Sequence, residues 1–137
     1  MKVFLICPVR GHSISETEQV VRDLEDQGMT VHFPPRDTKQ DGDPTGYRIC
    51  SDNLAAIRAA DAVYIIWDGL SQGGLFDAGM AFALGKKLVV LSVPAQTEGK
   101  SFQNMFTQWA ITGPAHTRGA ETAEADRILD TGCLLSC

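Results

Sequence analysis

The residues best suited to chemistry lie in Trp67-Asp68-Gly69-Leu70-Ser71-Gln72-Gly73-Gly74-Leu75-Phe76-Asp77, where an apolar, strand-like run gives way to a glycine pair and then a helix. Without side chains, Gly73 and Gly74 let a ligand approach the backbone N–H groups. The positive end of the helix dipole there favours an anion or an electron-rich oxygen. Asp77 falls in or near the expected first helical turn, a position that stabilises the charged carboxylate a nucleophile must carry. An acid that does no more than cap the helix would occupy the same position. The glycine pair matches neither GxGxxG nor a Walker loop.

A second cluster follows the first apolar run. In Arg10-Gly11-His12-Ser13 a guanidinium stands beside a glycine turn and a helix start, a combination able to hold a phosphate or a carboxylate. The alternative is a solvated loop arginine. Asp68 ends a buried strand where a carboxylate can take sugar hydroxyls, but Asp68-Gly69 also reads as an ordinary turn. Asp52 and Asn53 fit an ordinary polar helix face. His12, His32 and His116 share no metal-ligand spacing with one another or with Cys7, Cys50, Cys133 and Cys137, so neither a metal nor another cofactor is expected.

Strands and helices alternate around these residues. Lys2 to Cys7 is a short apolar run stopped by Pro8, hence a buried strand. Ser15 and Glu18 fit a capping box with Ser15 as N-cap. Val20, Val21 and Leu24 continue that helix, and Gly28 ends it. Thr30 to Phe33 makes a second strand, and Pro34 to Pro44, rich in Asp, Gly and Pro, reads as a loop. Tyr47 to Ala60 is an amphipathic helix with Ile49, Leu54 and Ile57 on one face. Ala62 to Trp67 is a central strand, Leu75 to Leu84 a helix ended by Gly85, and Lys87 to Val93 a strand halted by Pro94. Phe102 to Trp109 and Ala120 to Leu129 are further short helices, and Gly132 to Cys137 is a tail. The pattern predicts βαβ units in a single α/β domain over 1–137, a doubly wound, flavodoxin-like parallel sheet with helices on both faces. Ligands of such sheets bind beyond the carboxyl ends of the strands, which selects the loops Pro8 to Ser13 and Asp68 to Gly74.

Composition narrows the partners. With 12 Lys+Arg against 17 Asp+Glu the net charge is −5, which argues against nucleic acid or an anionic membrane as partner. A hydrophobic share of 44% supports a packed core, and no run approaches the ~20 apolar residues of a membrane span. The apolar start is too short for a secretory signal. A cytoplasmic protein with reduced thiols is expected, Cys133 and Cys137 being open to incidental oxidation.

Two segments together carry a family resemblance. Ser51-Asp52-Asn53-Leu54-Ala55-Ala56-Ile57-Arg58-Ala59-Ala60-Asp61 is followed, after a strand, by Ser71-x-Gly73-x-x-x-Asp77-x-Gly79-x-Ala81-x-Ala83-x-Gly85-Lys86. These, with the strand and Arg-Gly loop of Val3 to Gly11, resemble the nucleoside 2-deoxyribosyltransferase family, and within it the 2′-deoxynucleoside 5′-phosphate N-hydrolases. The resemblance implies cleavage or transfer at the N-glycosidic bond of a nucleoside or nucleoside 5′-monophosphate, with a carboxylate attacking the anomeric carbon. It assigns Asp77 to the place of the family's nucleophilic glutamate and Asn53 to that of an assisting aspartate. Arg10 and Ser71 fall where phosphate contacts are made. Phe4 replaces a tyrosine that hydrogen-bonds the nucleophile, and Cys7-Pro8 replaces a pair of small residues.

Two other readings stand beside the enzyme: a non-catalytic module binding a nucleotide or nucleotide-sugar, and a flavin-binding flavodoxin. The last lacks a Ser/Thr-rich phosphate loop after the first strand. The segment Leu75 to Leu84 is apolar nearly all round, so it needs cover on two sides. A homodimer or dimer-based oligomer packed through this helix and Tyr47 to Ala60 is expected, the alternative cover being Phe102 to Trp109 or the C-terminal tail.

Overall fold

The computed structural model of the protein describes residues 1–9 and 14–114. Within them run β1 (Lys2–Ile6), α1 (Ile14–Asp26), β2 (Thr30–His32), α2 (Pro34–Asp37), α3 (Tyr47–Ala59), β3 (Ala62–Ile66), α4 (Gln72–Ala83), β4 (Lys87–Ser92) and α5 (Phe102–Thr112). The strands form one parallel sheet in the order β2-β1-β3-β4. That order reverses direction between β1 and β3, the switch point where open sheets of this kind bind their ligands.

Alternation along the strands divides the core. Phe4, Ile6, Val63 and Ile65 face α3, α4 and α5 in one cluster with Ile57, Ala78, Ala81, Phe106 and Trp109. Val3, Leu5 and Cys7 point to the opposite face with Ala62 and Tyr64, where Val21 and Leu24 of α1 cover them. Strands buried on both sides read as continuous apolar runs because every residue has a hydrophobic environment. A fully buried side chain such as Phe4 contributes roughly 1.5–3 kcal/mol by burial alone. The expected α/β doubly wound sheet with helices on both faces is therefore present.

Several local expectations change. Helix α1 is already formed at Ile14, so Ser15 is a residue of the helix and not its N-cap. The segment expected to be a loop from Pro34 begins with α2, because a proline at the first helical position arrives with its φ preset. Asp37 Oδ2 accepts from Phe33 N at 2.8 Å and ties down the start of that turn. Strand ends also retreat, β2 stopping at His32 and β4 at Ser92, while α5 extends to Thr112. Arg10, Gly11, His12, Ser13, His116, the helix expected over Ala120 to Leu129, and the tail with Cys133 and Cys137 lie outside the described residues.

Candidate active site

Helix α4 begins at Gln72, about one turn earlier than the sequence predicts. Ser71 is its N-cap, with Oγ accepting from Gly74 N at 3.3 Å. Asp77 consequently sits beyond the first turn, and its reading as a helix cap falls. Its expected electrostatics fall with it. Asp77 is 9% exposed, and burial raises its carboxyl pKa to about 6, against the lowering effect of Asn53. Desolvation of the charged form outweighs what the Asn53 amide returns.

Asn53 is also not part of a polar outer face. It is buried on α3, where the packing of α3 against α4 turns its amide onto Asp77. Nδ2 lies 3.3 Å from each Asp77 oxygen, and Oδ1 accepts from Thr38 Oγ1 at 2.8 Å. No buried side-chain nitrogen or oxygen among the described residues lacks a hydrogen-bond partner.

Both residues border a cleft of about 680 Å³ at the carboxyl edge of the sheet. Cys7, Pro8 and Val9 bring the end of β1 to it, and Asp68, Leu70, Ser71, Gln72, Gly73 and Gly74 bring the β3–α4 connection. The structure thus gathers Asp77, Asn53, Asp68, Ser71, Gly73 and Gly74 around one space. Asp68 performs the turn role: its Oδ1 accepts from Leu70 N at 2.9 Å and Ser71 N at 2.8 Å while its side chain borders the cleft. Gly69 completes that turn with φ +82, a left-handed conformation that favours glycine. At Gly73 an added Cβ would meet open space, which leaves the backbone accessible from the cleft side.

Four contributors lie outside the candidate site residues that the sequence selects. Thr38 and His32 lie behind Asn53, and Cys7 and Cys50 flank Asp77. Burial pushes the Cys7 thiol up to about 12 and raises that of Cys50, with the charge of Asp77 adding to each. Both thiols stay protonated and place no charge beside the carboxylate. Phe4, expected at a nucleophile-contacting position, is fully buried and stacks on His32, the ring centroids 5.2 Å apart. The signal that could have exposed Thr38 is Pro34-Pro35, which starts a helical turn and delivers Thr38 to its C-cap against α3. Among the described residues no group of three or more His, Cys, Asp or Glu side chains could hold a metal ion, and no helix is long and apolar enough to cross a membrane.

An open parallel α/β sheet whose switch point carries a buried carboxylate in a cleft defines a small-molecule site of the doubly wound class. Residues 3–109 match the model of the nucleoside 2-deoxyribosyltransferase family, and the chain belongs to that family, whose members act at the N-glycosidic bond of nucleosides. Among solved structures it is similar to the 2-deoxyribosyltransferase of Bacillus psychrosaccharolyticus, with 19% identity, a TM-score of 0.64, and 79% of this chain and 81% of that one covered. It is also similar to the CMP N-glycosidase BcmB of Clostridium botulinum, with 22% identity, a TM-score of 0.53 and 83% of each chain covered. No curated protein matches the sequence significantly.

Proposed function

We propose that the protein cleaves or exchanges the N-glycosidic bond of a nucleoside or nucleoside 5′-monophosphate, with Asp77 as the nucleophile. The observation that carries this reading is the buried Asp77 carboxylate, held by the Asn53 amide at the edge of the cleft. An Asp77 oxygen forms a bond to C1′ as the C1′–N bond breaks. The bonding pair leaves with the base, which takes a proton from solvent. Water then attacks C1′, gives up a proton and releases the sugar with the carboxylate restored; a second base in place of water gives transfer. The Asn53 amide assists by stabilising the ionised carboxylate between turnovers.

Arg10 and Ser71 bind the 5′ end in this proposal, a phosphate where one is present, with Gly11, Gly73 and Gly74 giving the backbone access. Asp68 binds sugar hydroxyls. The protein works in the cytoplasm as a homodimer, without a metal or other cofactor. Incubation with a panel of nucleosides and nucleoside monophosphates, with free base followed by chromatography, tests the reading. Release of base from at least one member supports it. Binding of a nucleotide without release would favour the non-catalytic module instead.

A further inference from the structure

Behind the cleft runs a chain of hydrogen bonds that meets it only at Asn53 and Asp77. His32 Nε2 lies 2.9 Å from Thr38 Oγ1, Thr38 Oγ1 lies 2.8 Å from Asn53 Oδ1, and Asn53 Nδ2 reaches both Asp77 oxygens. Thr38 and Asn53 are almost completely buried, and neither Thr38 nor His32 borders the cleft. With the Asn53 nitrogen on Asp77, the proton directions follow. An amide oxygen only accepts, so the Thr38 hydroxyl spends its single proton on Asn53 Oδ1. Towards His32 that hydroxyl can then only accept, so His32 Nε2 carries a hydrogen and donates it. Every donor in the chain points toward Asp77.

We propose that Thr38, backed by His32, is a positioning residue for Asp77, locking the Asn53 amide with its N–H group rather than its carbonyl on the carboxylate. A terminal amide turns over readily because its nitrogen and oxygen sides are nearly the same shape. A turned Asn53 would set a carbonyl dipole against a carboxylate in a site with little water, raising the energy of the ionised form. Thr38 opposes this because a turned amide would leave the Thr38 proton without its acceptor, the His32 nitrogen on the other side being a donor. His32 fixes the Thr38 rotor in turn, and its own ring is held flat on Phe4. The phenylalanine found where the family resemblance places a tyrosine therefore supports the nucleophile from behind, through three intervening side chains.

The charges around the two ends are few. Facing Asp77 are Asn53 and Cys50 from α3 and Cys7 from the end of β1, the thiols uncharged, with Asp68 across the same cleft. Facing His32 are Asp37 and Arg36 of α2, which oppose one another, and burial keeps the imidazole below its ordinary value. The chain works with a neutral His32, since only the Nε2 hydrogen is required.

This inference rests on the proposed nucleophile, and its test separates the two. The variants are Thr38→Val, which keeps the shape and deletes the hydroxyl; Thr38→Ser, which restores it; and His32→Phe, which keeps the stack on Phe4 and deletes the donor. Two readouts are taken on the full chain: the Asp77 carboxyl titration by 13C NMR, assigned with Asp77→Asn, and kcat and KM for base release. Thr38→Val should raise the Asp77 midpoint and lower kcat about tenfold with KM within about twofold, as expected when a buried hydrogen bond is lost away from the substrate. Thr38→Ser should return both to the wild-type values, and His32→Phe should move both in the direction of Thr38→Val by a smaller amount. An unchanged Asp77 titration in both Thr38→Val and His32→Phe overturns the proposal, as does a folded Thr38→Ser that behaves like Thr38→Val. A wild-type protein that releases no base removes the nucleophile, yet the titration still decides whether the chain controls Asp77.

Discussion

The Asn53 amide donates to both oxygens of Asp77 at 3.3 Å, and the carboxyl nonetheless remains pushed up to about 6. The two facts together describe a carboxylate under tension between burial and a single long, charge-assisted contact. Burial wins, because no other group among those that shift it favours the charged form. A carboxylate stripped of water is a poorer ground state and a better nucleophile than a solvated one, and near neutral pH most of it is still ionised.

Replacement of Asp77 should separate catalysis from folding. Ser71 caps α4, so Asp77→Ala removes no cap and is expected to fold. Base release should disappear. Asp77→Glu lengthens the side chain by one methylene toward the cleft, since Asn53 blocks the other direction. It should keep or raise activity, because reach toward C1′ is what the shorter acid lacks. Chromatographic assay of free base beside thermal melts checks both variants; full activity in Asp77→Ala removes Asp77 from the mechanism.

The position of the Asp77 titration has two consequences of opposite benefit. Activity requires the ionised form, so kcat/KM should fall as the pH drops through about 6. Stability runs the other way. The folded-state pKa lies above the ordinary carboxyl value of 3.8, so between the two the native protein holds more protons than the unfolded chain. Stability from this group is complete below 3.8 and is lost as the pH rises to about 6, a cost on the order of 2–3 kcal/mol at neutral pH. Asp77→Asn escapes that cost. Its melting temperature should gain on wild type by several degrees between pH 4 and pH 7.5, and a constant difference would show that Asp77 is not held out of water.

Which parts of this site were legible in the sequence follows from the range of the interactions that make it. Strands β1, β3 and β4 read as continuous apolar runs, which marks them, and their alternation with helices implies a parallel sheet. Asp77, Asn53, Asp68, Ser71, Gly73 and Gly74 were legible because family spacing or a strand-end position picks them out. The start of α4 was misread because a glycine pair argues against a helix interior, whereas the Ser71 cap, a local hydrogen bond, decided the matter. Thr38 and His32 were not legible. Their importance comes from contacts with a residue 15 positions later and a ring on another strand, and no local pattern encodes such contacts. Buried Asn53 likewise looked polar and exposed, because its partner lies 24 positions away.

Arg10 is the residue proposed to bind the 5′ end of the nucleotide. Hydrogen bonds between charged groups contribute about 1.5–3 kcal/mol, more than neutral ones. Arg10→Ala should therefore weaken a nucleoside monophosphate at least tenfold and leave the matching nucleoside within about twofold. Titration calorimetry with both ligands reads the difference. Equal losses would make Arg10 a structural loop residue and leave the 5′ phosphate without its proposed partner.

Assembly is argued from the outer side of α4. Gly74, Asp77, Ala78 and Ala81 form the stripe that this chain buries. On the opposite side Phe76 is 58% exposed beside the small residues Gly79 and Ala83, and on the flank Phe82 is 42% exposed. Helix α5 covers only an edge of this side: Trp109 meets Phe82 edge-on at 5.2 Å, and Phe76 is left to solvent. Tyr47, at the start of α3, is also 79% exposed. Large rings around a glycine and an alanine suit a second copy of the same helix, since small residues let two backbones approach and a two-fold axis buries the patch against itself. The wild-type protein should therefore scatter light as twice the 14.8 kDa monomer at micromolar concentration. Phe76→Glu places a charge at the centre of that contact without touching the buried stripe, so it should give a folded monomer. A wild-type mass of 14.8 kDa, or a Phe76→Glu dimer as tight as wild type, would exclude this face as the interface.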